Sequence, residues 1–361
     1  MKKIKIITVI GARPQFVKAG ALSRVFAKTD LIEEILVHTG QHFDENMSDV
    51  FFDEMKIPKP KYNLAINSLS HGAMTGRMLE GIEGILLKEN PDLVLIYGDT
   101  NSTLAGALAA KKLHIKVAHV EAGLRSFNMQ MPEEVNRILT DRISDFLFCP
   151  TDTAVENLMV EGYDKLDCDV VQCGDVMQDA AYYYAKISGE KSTVLKSIGL
   201  DKYGLVTLHR AENTDDKAKL TEIVNALNYI HSNVLPLVLP LHPRTQGKLE
   251  MYGLKLLLKT IPPVGYFDMI ELIKNSSLVL TDSGGLQKEA YFFKKACVTL
   301  REQTEWVELI DAGVNVLVGS DETKIIEACK QMLSSKLDFE KNLYGNGEAC
   351  QNIVNHLIDR L

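Results

Sequence analysis

The sequence predicts two doubly wound α/β domains built on parallel sheets, and three observations predict it. Short apolar runs alternate with longer segments whose apolar residues recur at helical spacing, the mark of a parallel sheet covered by helices. Many of those runs end in Gly, Asp, Thr, Glu or His, the edge at which open parallel sheets present ligand-binding groups. The pattern lapses in a polar stretch, Tyr163 to Gln172, and restarts at Gly204. A chain of 361 residues is also of a length that suggests two ordinary domains. The boundary is expected at residues 170/171.

Composition narrows the class. The chain is 46% hydrophobic and 24% charged, so it can bury a sizeable core and is not disordered. Its formal net charge is -8 and its sequence pI about 5.7, which argues against a nucleic-acid groove but leaves room for a small anionic ligand. Six cysteines (Cys149, Cys168, Cys173, Cys297, Cys329 and Cys350) are scattered without a C-x-x-C pair. They read as small core residues of a reduced, cytosolic protein, and no metal site is expected. Met1 to Ile10 has an apolar run broken by Lys5 and flowing into Gly-Ala-Arg-Pro. It reads as the first buried strand rather than a signal peptide. No segment is long and apolar enough to span a membrane.

In chain order, strand one ends at Ile10, and Gly11-Ala12-Arg13-Pro14-Gln15 turns into a helix marked by Phe16, Val17, Leu22 and Val25. Arg13 and Lys18 flank the helix start; a helix N-terminus with two cations is a ready anion site, and two solvated basic residues is the plain alternative. No G-x-G-x-x-G follows this strand, so a dinucleotide fingerprint is missing and no nicotinamide cofactor is expected. Ile35 to His38 is a second strand. A helix follows Ser70-His71-Gly72 to about Leu87.

Asp92 to Arg137 is the most informative stretch. The run Leu93 to Tyr97 stops at Gly98, so Asp99 and Thr100 sit where a buried strand gives way to a helix. Val117 to Val120 delivers Glu121 to the same edge. Pro132 reads as a first helical residue, which puts Glu133 and Glu134 in the first turn of a helix reaching about Ile143. Asp99, Glu121 and Glu133 can thus converge on one crevice. Taken singly, Asp99 reads as a helix N-cap and Glu133 as a macrodipole partner. Glu121, a carboxylate at the exit of an apolar strand, needs a partner or a task. Phe146 to Pro150 is a further strand.

The second half repeats the pattern. Gly204 to Leu208 ends in His209-Arg210-Ala211-Glu212-Asn213, Leu235 to Leu241 ends in His242-Pro243-Arg244, and Ser277 to Leu280 ends in Thr281-Asp282-Ser283-Gly284-Gly285. Cys297 to Leu300 and Val314 to Val318 complete the set. Two glycines after a strand let backbone approach a ligand, and the helix N-terminus behind them offers free N–H groups to phosphate. Ser283, Gly284 and Gly285 are therefore assigned to a diphosphate, with Glu289, one turn on, placed to accept from ribose hydroxyls. His209, leaving a strand beside Arg210 and Glu212, is assigned a catalytic or leaving-group role.

Together these residues resemble the UDP-N-acetylglucosamine 2-epimerase family across essentially the whole chain. The motifs that carry the resemblance are Gly11-Ala12-Arg13-Pro14 with Lys18, Gly98-Asp99-Thr100, His119-Val120-Glu121-Ala122-Gly123-Leu124-Arg125, Pro132-Glu133-Glu134 with Asn136-Arg137, His209-Arg210 with Glu212-Asn213, and Asp282-Ser283-Gly284-Gly285 with Glu289. The resemblance implies the glycosyltransferase-B type of fold: two Rossmann-like domains with the active site in the cleft between them. It also implies a C-terminal helix that crosses back at Gly345-Asn346-Gly347 and docks through Ile353 and Leu357. On that basis the first domain is expected to be 1–170 plus 346–361, and the second, UDP-binding domain 171–345. The implied reaction inverts C2 of a UDP-linked 2-acetamido sugar by eliminating UDP and adding it back, with no metal or other cofactor. Asp99, Glu121, Glu133 and His209 are the implied catalytic residues, with Arg13, Lys18, Arg137, Ser283, Gly284, Gly285 and Glu289 on the substrate. A UDP-sugar partner, a homodimer and a cytoplasmic location follow from the same resemblance, with no nucleic acid or membrane.

Departures from the N-acetylglucosamine branch point to a narrower group. Gln15 stands where Glu is usual and Phe43 where Arg is usual, Ala211 replaces a second Arg, and Trp306-Val307 replaces Arg-Pro. The Phe43 change bears on the family's site for a second, activating substrate molecule. Gly-Ala-Arg-Pro-Gln-Phe, Gln-His-Phe-Asp and Thr-Glu-Trp look like the branch acting on UDP-2,3-diacetamido-2,3-dideoxyglucuronate, which feeds bacterial surface polysaccharides such as lipopolysaccharide O-antigen. Alternatives are a UDP-N-acetylglucosamine 2-epimerase, non-hydrolysing or hydrolysing, a glycosyltransferase of the same fold, and a nucleotide-sugar sensor without turnover. Neutral Gln15 is expected to lessen repulsion of an extra carboxylate, and Trp306 with Val307 to offer an apolar face to an acetyl methyl.

Overall fold

The computed structural model describes residues 3–41 and 57–361. The chain forms two compact units, Met1–Ala180 with Asn342–Leu361, and Ala181–Lys341.

In the first unit the strands are Ile4–Ile10 (β1), Ile32–His38 (β2), Tyr62–Asn63 (β3), Leu93–Tyr97 (β4), Lys116–Val120 (β5), Phe146–Cys149 (β6) and Asp169–Gln172 (β7). Among the described residues they form one parallel sheet ordered β3-β2-β1-β4-β5-β6-β7. The order reverses between β1 and β4, the point at which doubly wound sheets bind ligands at their carboxyl ends. The helices are Arg13–Phe26 (α1), His71–Glu89 (α2), Asn101–Lys112 (α3), Pro132–Ile143 (α4) and Asp152–Val160 (α5); Val176–Lys191 (α6) begins in this unit and continues into the second from Ala181. All five residues of β4 are buried, because helices cover both faces of a parallel sheet. Ile7, Val9, Val94 and Ile96 pack with Met78 and Ile82 of α2 and with the alanines of α3. Gly106 lets α3 lie close to the sheet: a Cβ there would sit 3.1 Å from Ile96 and 3.4 Å from Val9. That fit fixes the start of α3 against the end of β4, where Asp99 lies.

The second unit holds Val194–Ile198 (α7), Gly204–Thr207 (β8), Ala211–Thr214 (α8), Lys217–Asn233 (α9), Leu237–Pro240 (β9), Pro243–Tyr252 (α10), Lys259–Ile261 (β10), Tyr266–Asn275 (α11), Leu278–Thr281 (β11), Gly284–Phe292 (α12), Cys297–Thr299 (β12), Val307–Asp311 (α13), Asn315–Leu317 (β13) and Glu322–Ser334 (α14). Its parallel sheet runs β10-β9-β8-β11-β12-β13, so its order reverses between β8 and β11. Apolar side chains cover both faces, with α9 and α14 on one and α7, α11 and α12 on the other.

The last helix, Ala349–Arg360 (α15), belongs to the first unit and packs against α1. Ile353 and Leu357 are fully buried. Its first turn is held by Asp179, whose carboxylate accepts from the N–H groups of Ala349 at 3.2 Å and Cys350 at 2.8 Å.

The boundary expected at 170/171 falls inside β7. The polar stretch there is an edge strand whose residues are only partly buried, and the first unit continues to Ala180. The chain rejoins that unit at Asn342 rather than at 346. Among the described residues no helix is long and apolar enough to cross a membrane. None of them form a group of three or more His, Cys, Asp or Glu side chains able to hold a metal ion.

Candidate active site

The first unit brings together Asp99, Glu121, Lys18 and Arg137 at the carboxyl ends of β4 and β5. Lys18, one turn into α1, forms a buried ion pair with Glu121. A Cβ on Gly98 would lie 3.3 Å from Glu121 Oε2 and 3.6 Å from Lys18 Nζ, so the turn carrying Asp99 borders this pair. Glu121 itself adopts φ 74°, the left-handed region that non-glycine residues avoid. Strain of that kind gathers at sites whose geometry the surroundings over-determine.

Asp99 is not the cap of α3. Thr100 takes that role, its Oγ1 accepting from Thr103 N–H at 3.3 Å, which leaves the Asp99 carboxylate to Arg137. The guanidinium donates to Asp99 Oδ2 from Nε at 3.0 Å and from a terminal nitrogen at 2.7 Å. Burial raises the Asp99 carboxyl above its ordinary range, while Arg137 and Lys18 draw it down and Glu121 adds to the rise. A carboxyl balanced this way suits proton transfer.

Helix α4 settles which of two adjacent acids points inward. Pro132 is its first residue, as expected. Glu134 is fully buried and accepts from the N–H groups of Ser126 at 3.0 Å and Phe127 at 2.8 Å, and from Arg137 at 2.5 Å. Burial works against its charge, but these donors hold its carboxyl below the ordinary range. Glu133 is exposed. Four residues apart on α4, it and Arg137 share a helix face. Convergence is therefore seen for Asp99 and Glu121, while Glu133 stands one turn before the arginine that holds Asp99. The Asn136 side chain donates to the Asp99 carbonyl at 2.8 Å.

Gln15 does not face a ligand. Its Oε1 accepts from Gly11 N–H at 2.8 Å and Ala12 N–H at 3.0 Å; its Nε2 lies 2.7 Å from the Tyr97 carbonyl and 3.0 Å from the Thr100 and Thr103 hydroxyls. The side chain ties the turn after β1 to the turn after β4, and the expectation that it eases repulsion of a substrate anion is corrected. Arg13 opens α1, but its side chain lies outside the described positions, and Phe43 lies outside the described residues.

In the second unit, His209 follows β8 with its side chain 43% exposed. Fully buried Asp282, at the end of β11, accepts from the N–H groups of His209 at 3.0 Å and Arg210 at 2.8 Å. Its other oxygen is 3.4 Å from His209 Nδ1, so the ring presents Nε2 outward, the arrangement of an imidazole oriented by a carboxylate. Asp282 lay within a recognised motif, but its grip on His209 was not foreseen. A signal existed, since a buried acid at a strand end requires partners.

Ser283 is the N-cap of α12, and its hydroxyl makes no capping bond. The N–H groups of the first turn have no intrahelical acceptor, which is what an anion site requires. Glu289 is buried four residues after Gly285, on the same helix face. The two glycines differ. A Cβ on Gly284 would come within 2.5 Å of Glu305, which is paired to Arg301, whereas a Cβ on Gly285 would meet nothing within 4 Å. Gly285→Val should therefore fold normally and fill the open space over the helix N-terminus. By calorimetry its affinity for UDP should fall at least about tenfold, since backbone must approach phosphate there; unchanged affinity in the folded variant would reject the assignment of this turn to the diphosphate. Of the two residues expected to offer an apolar face, Trp306 does not, being buried with Lys288 Nζ 3.8 Å above its ring, whereas Val307 is exposed.

Two Rossmann-like parallel-sheet units, one with acids at its strand ends and the other with an anion-ready glycine turn, match the glycosyltransferase-B class of fold. The model of the UDP-N-acetylglucosamine 2-epimerase family matches residues 24–358. The chain is 57% identical to the UDP-2,3-diacetamido-2,3-dideoxy-D-glucuronate 2-epimerase of Pseudomonas aeruginosa, covering 98% of this chain and 99% of that one. It is 47% identical to a UDP-N-acetylglucosamine 2-epimerase of Methanococcus maripaludis, covering 97% of both. Among solved structures, the Methanocaldococcus jannaschii UDP-GlcNAc 2-epimerase in complex with UDP-GlcNAc and UDP superposes with TM-score 0.90 at 44% identity, covering 99% of both chains. This chain belongs to the UDP-N-acetylglucosamine 2-epimerase family, a family of isomerases.

Proposed function

We propose that this enzyme carries out the non-hydrolysing C2 epimerisation of UDP-2,3-diacetamido-2,3-dideoxyglucuronate to the mannuronate. The observation that carries the reaction is a pair of carboxylates on neighbouring strand ends, each with its own cation: Asp99 with Arg137 and Glu121 with Lys18. The narrower substrate is supported by the identity to the Pseudomonas protein.

The C2 hydrogen of such a sugar is not acidic enough for simple removal. In the elimination, a carboxylate takes the C2 proton, the C–H electron pair becomes the C1=C2 bond, and the C1–O bond breaks onto UDP. Re-addition reverses these changes, with the proton delivered to the opposite face of C2. This needs an acid/base group for each face and a cradle for the departing diphosphate. Asp99, Glu121 and Glu133 are the proposed acids. His209 is proposed to act at the leaving phosphate, which Arg13 and the Ser283-Gly284-Gly285 turn hold. Lys18 and Arg137 pair with Glu121 and Asp99 and aim them at the substrate, and Glu289 takes the ribose. We infer further that the enzyme is a cytoplasmic homodimer supplying bacterial surface polysaccharide synthesis, a reading that rests on the family relationship.

Turnover in deuterated water tests the reaction. The product should carry deuterium at C2, with UDP released no faster than epimer forms. Product without C2 deuterium would reject elimination and re-addition, and stoichiometric UDP release would favour a hydrolysing enzyme.

A further inference from the structure

His119 lies in β5, wholly buried, two residues before Glu121. Its two ring nitrogens face different groups: Nδ1 is 2.6 Å from Asp141 Oδ1, and Nε2 is 2.7 Å from the Gly98 carbonyl oxygen. A carbonyl oxygen can only accept, so Nε2 must carry a hydrogen. Asp141 is an acceptor as well. Its Oδ2 takes the Gly123 N–H at 3.1 Å and the Arg125 guanidinium at 2.7 Å. Burial opposes its charge, but the permanent cation of Arg125 and the Gly123 N–H both donate to it and favour the ionised form. An ionised carboxylate has no proton to give, so Nδ1 must donate too. Neutral imidazole has one N–H; this arrangement needs two.

We propose that His119 is a doubly protonated positioning residue, whose imidazolium is tethered by Asp141 and clamps the Gly98 carbonyl, setting the turn that carries Asp99. The turn depends on such a grip. Gly98 is left-handed at φ 61°, and its N–H is tied to the Val120 carbonyl at 3.0 Å. A charge-assisted bond at its carbonyl fixes the remaining side of that peptide more firmly than a neutral donor would. Charged groups surround the ring on several elements: Asp141 on α4, Arg125 with Glu161 behind it, and Asp99 and Glu121 with their cations at the strand ends. The imidazolium is the counter-charge on the β5 side of this acid-rich turn. The effect on turnover rests on Asp99 acting as proposed above; the proton count on the ring does not.

Two measurements on the full-length enzyme test this. In long-range proton–nitrogen NMR spectra near neutral pH, with His119 assigned by the loss of its signals in His119→Gln, both ring nitrogens should appear protonated. One protonated and one bare nitrogen would overturn the proposal, whether or not the enzyme turns over any sugar. The second measurement separates clamp from tether. Gln places an N–H where Nε2 sits, and Asn places one where Nδ1 sits. His119→Asn, which loses the Gly98 clamp, should lower kcat by about a hundredfold with KM little changed, whereas His119→Gln should retain kcat within about tenfold, because small misplacement of a reacting group has effects of this size. Equal losses in the two variants, or losses that track thermal stability alone, would overturn the positioning role. Absence of epimerisation in the parent would refute the functional reading and leave the NMR result to decide the proton count.

Discussion

Replacing Asp99 by Asn should lower kcat by about a thousandfold, the middle of the range for loss of a positioned general acid or base. The substitution keeps the shape of the side chain and removes its capacity to carry a proton. The fold should survive it, because the carbonyl of residue 99 stays bonded to Asn136 and the helix behind is capped by Thr100. Arg137 also keeps Glu134 as a partner. UDP affinity, which is assigned to Arg13, the Ser283-Gly284-Gly285 turn and Glu289, should be unchanged. Single-turnover kinetics followed by NMR, with calorimetry for UDP, would check both halves. A kcat within tenfold of the parent would remove Asp99 from the chemistry and leave it as a partner for Arg137.

The preference for the diacetamido-uronate over UDP-N-acetylglucosamine should reach at least about a hundredfold in kcat/KM, corresponding to roughly 3 kcal/mol of differential transition-state binding. A site built to receive a carboxylate leaves its polar partners unmatched when the sugar lacks one, and that mismatch is expensive. Of the residues first associated with this preference, Gln15 and Trp306 are buried and only Val307 is exposed. Gln15 uses its amide to join two turns, and the Trp306 ring is covered by Lys288. The expectation therefore rests on relationship: 57% identity to an enzyme named for that sugar against 47% to one named for UDP-N-acetylglucosamine. Competition between the two UDP-sugars in one reaction measures the ratio. Equal turnover, or preference for UDP-N-acetylglucosamine, would sink the substrate claim and leave the epimerisation claim standing.

The central strands were legible in the sequence because burial on both faces makes a parallel strand apolar at every position. Leu93–Tyr97 was read with the ends the structure gives it, and Phe146–Pro150 with the right start and an end one residue too long. Three of the four edge strands, Tyr62–Asn63, Asp169–Gln172 and Lys259–Ile261, were not, because an edge pairs on one side only and keeps polar residues; the fourth, Asn315–Leu317, was read within the apolar run Val314 to Val318. For this reason the polar stretch Tyr163 to Gln172 was read as a domain boundary, although it contains the strand Asp169–Gln172.

By itself the sequence determined the fold class, the family and the set of polar residues at the strand ends, since a strand exit followed by Gly, Asp or Glu has few structural explanations. Only the tertiary structure decided what those residues hold. One step of helix rotation turns Glu134 inward to Arg137 and leaves Glu133 exposed. Adjacent first-turn acids look alike in sequence, and only the packing of α4 distinguishes them. The grip of Gln15 on Tyr97, of Asp282 on His209 and of Asp141 on His119 joins residues far apart in the chain. Such pairs depend on which strands lie side by side, and no local pattern records that.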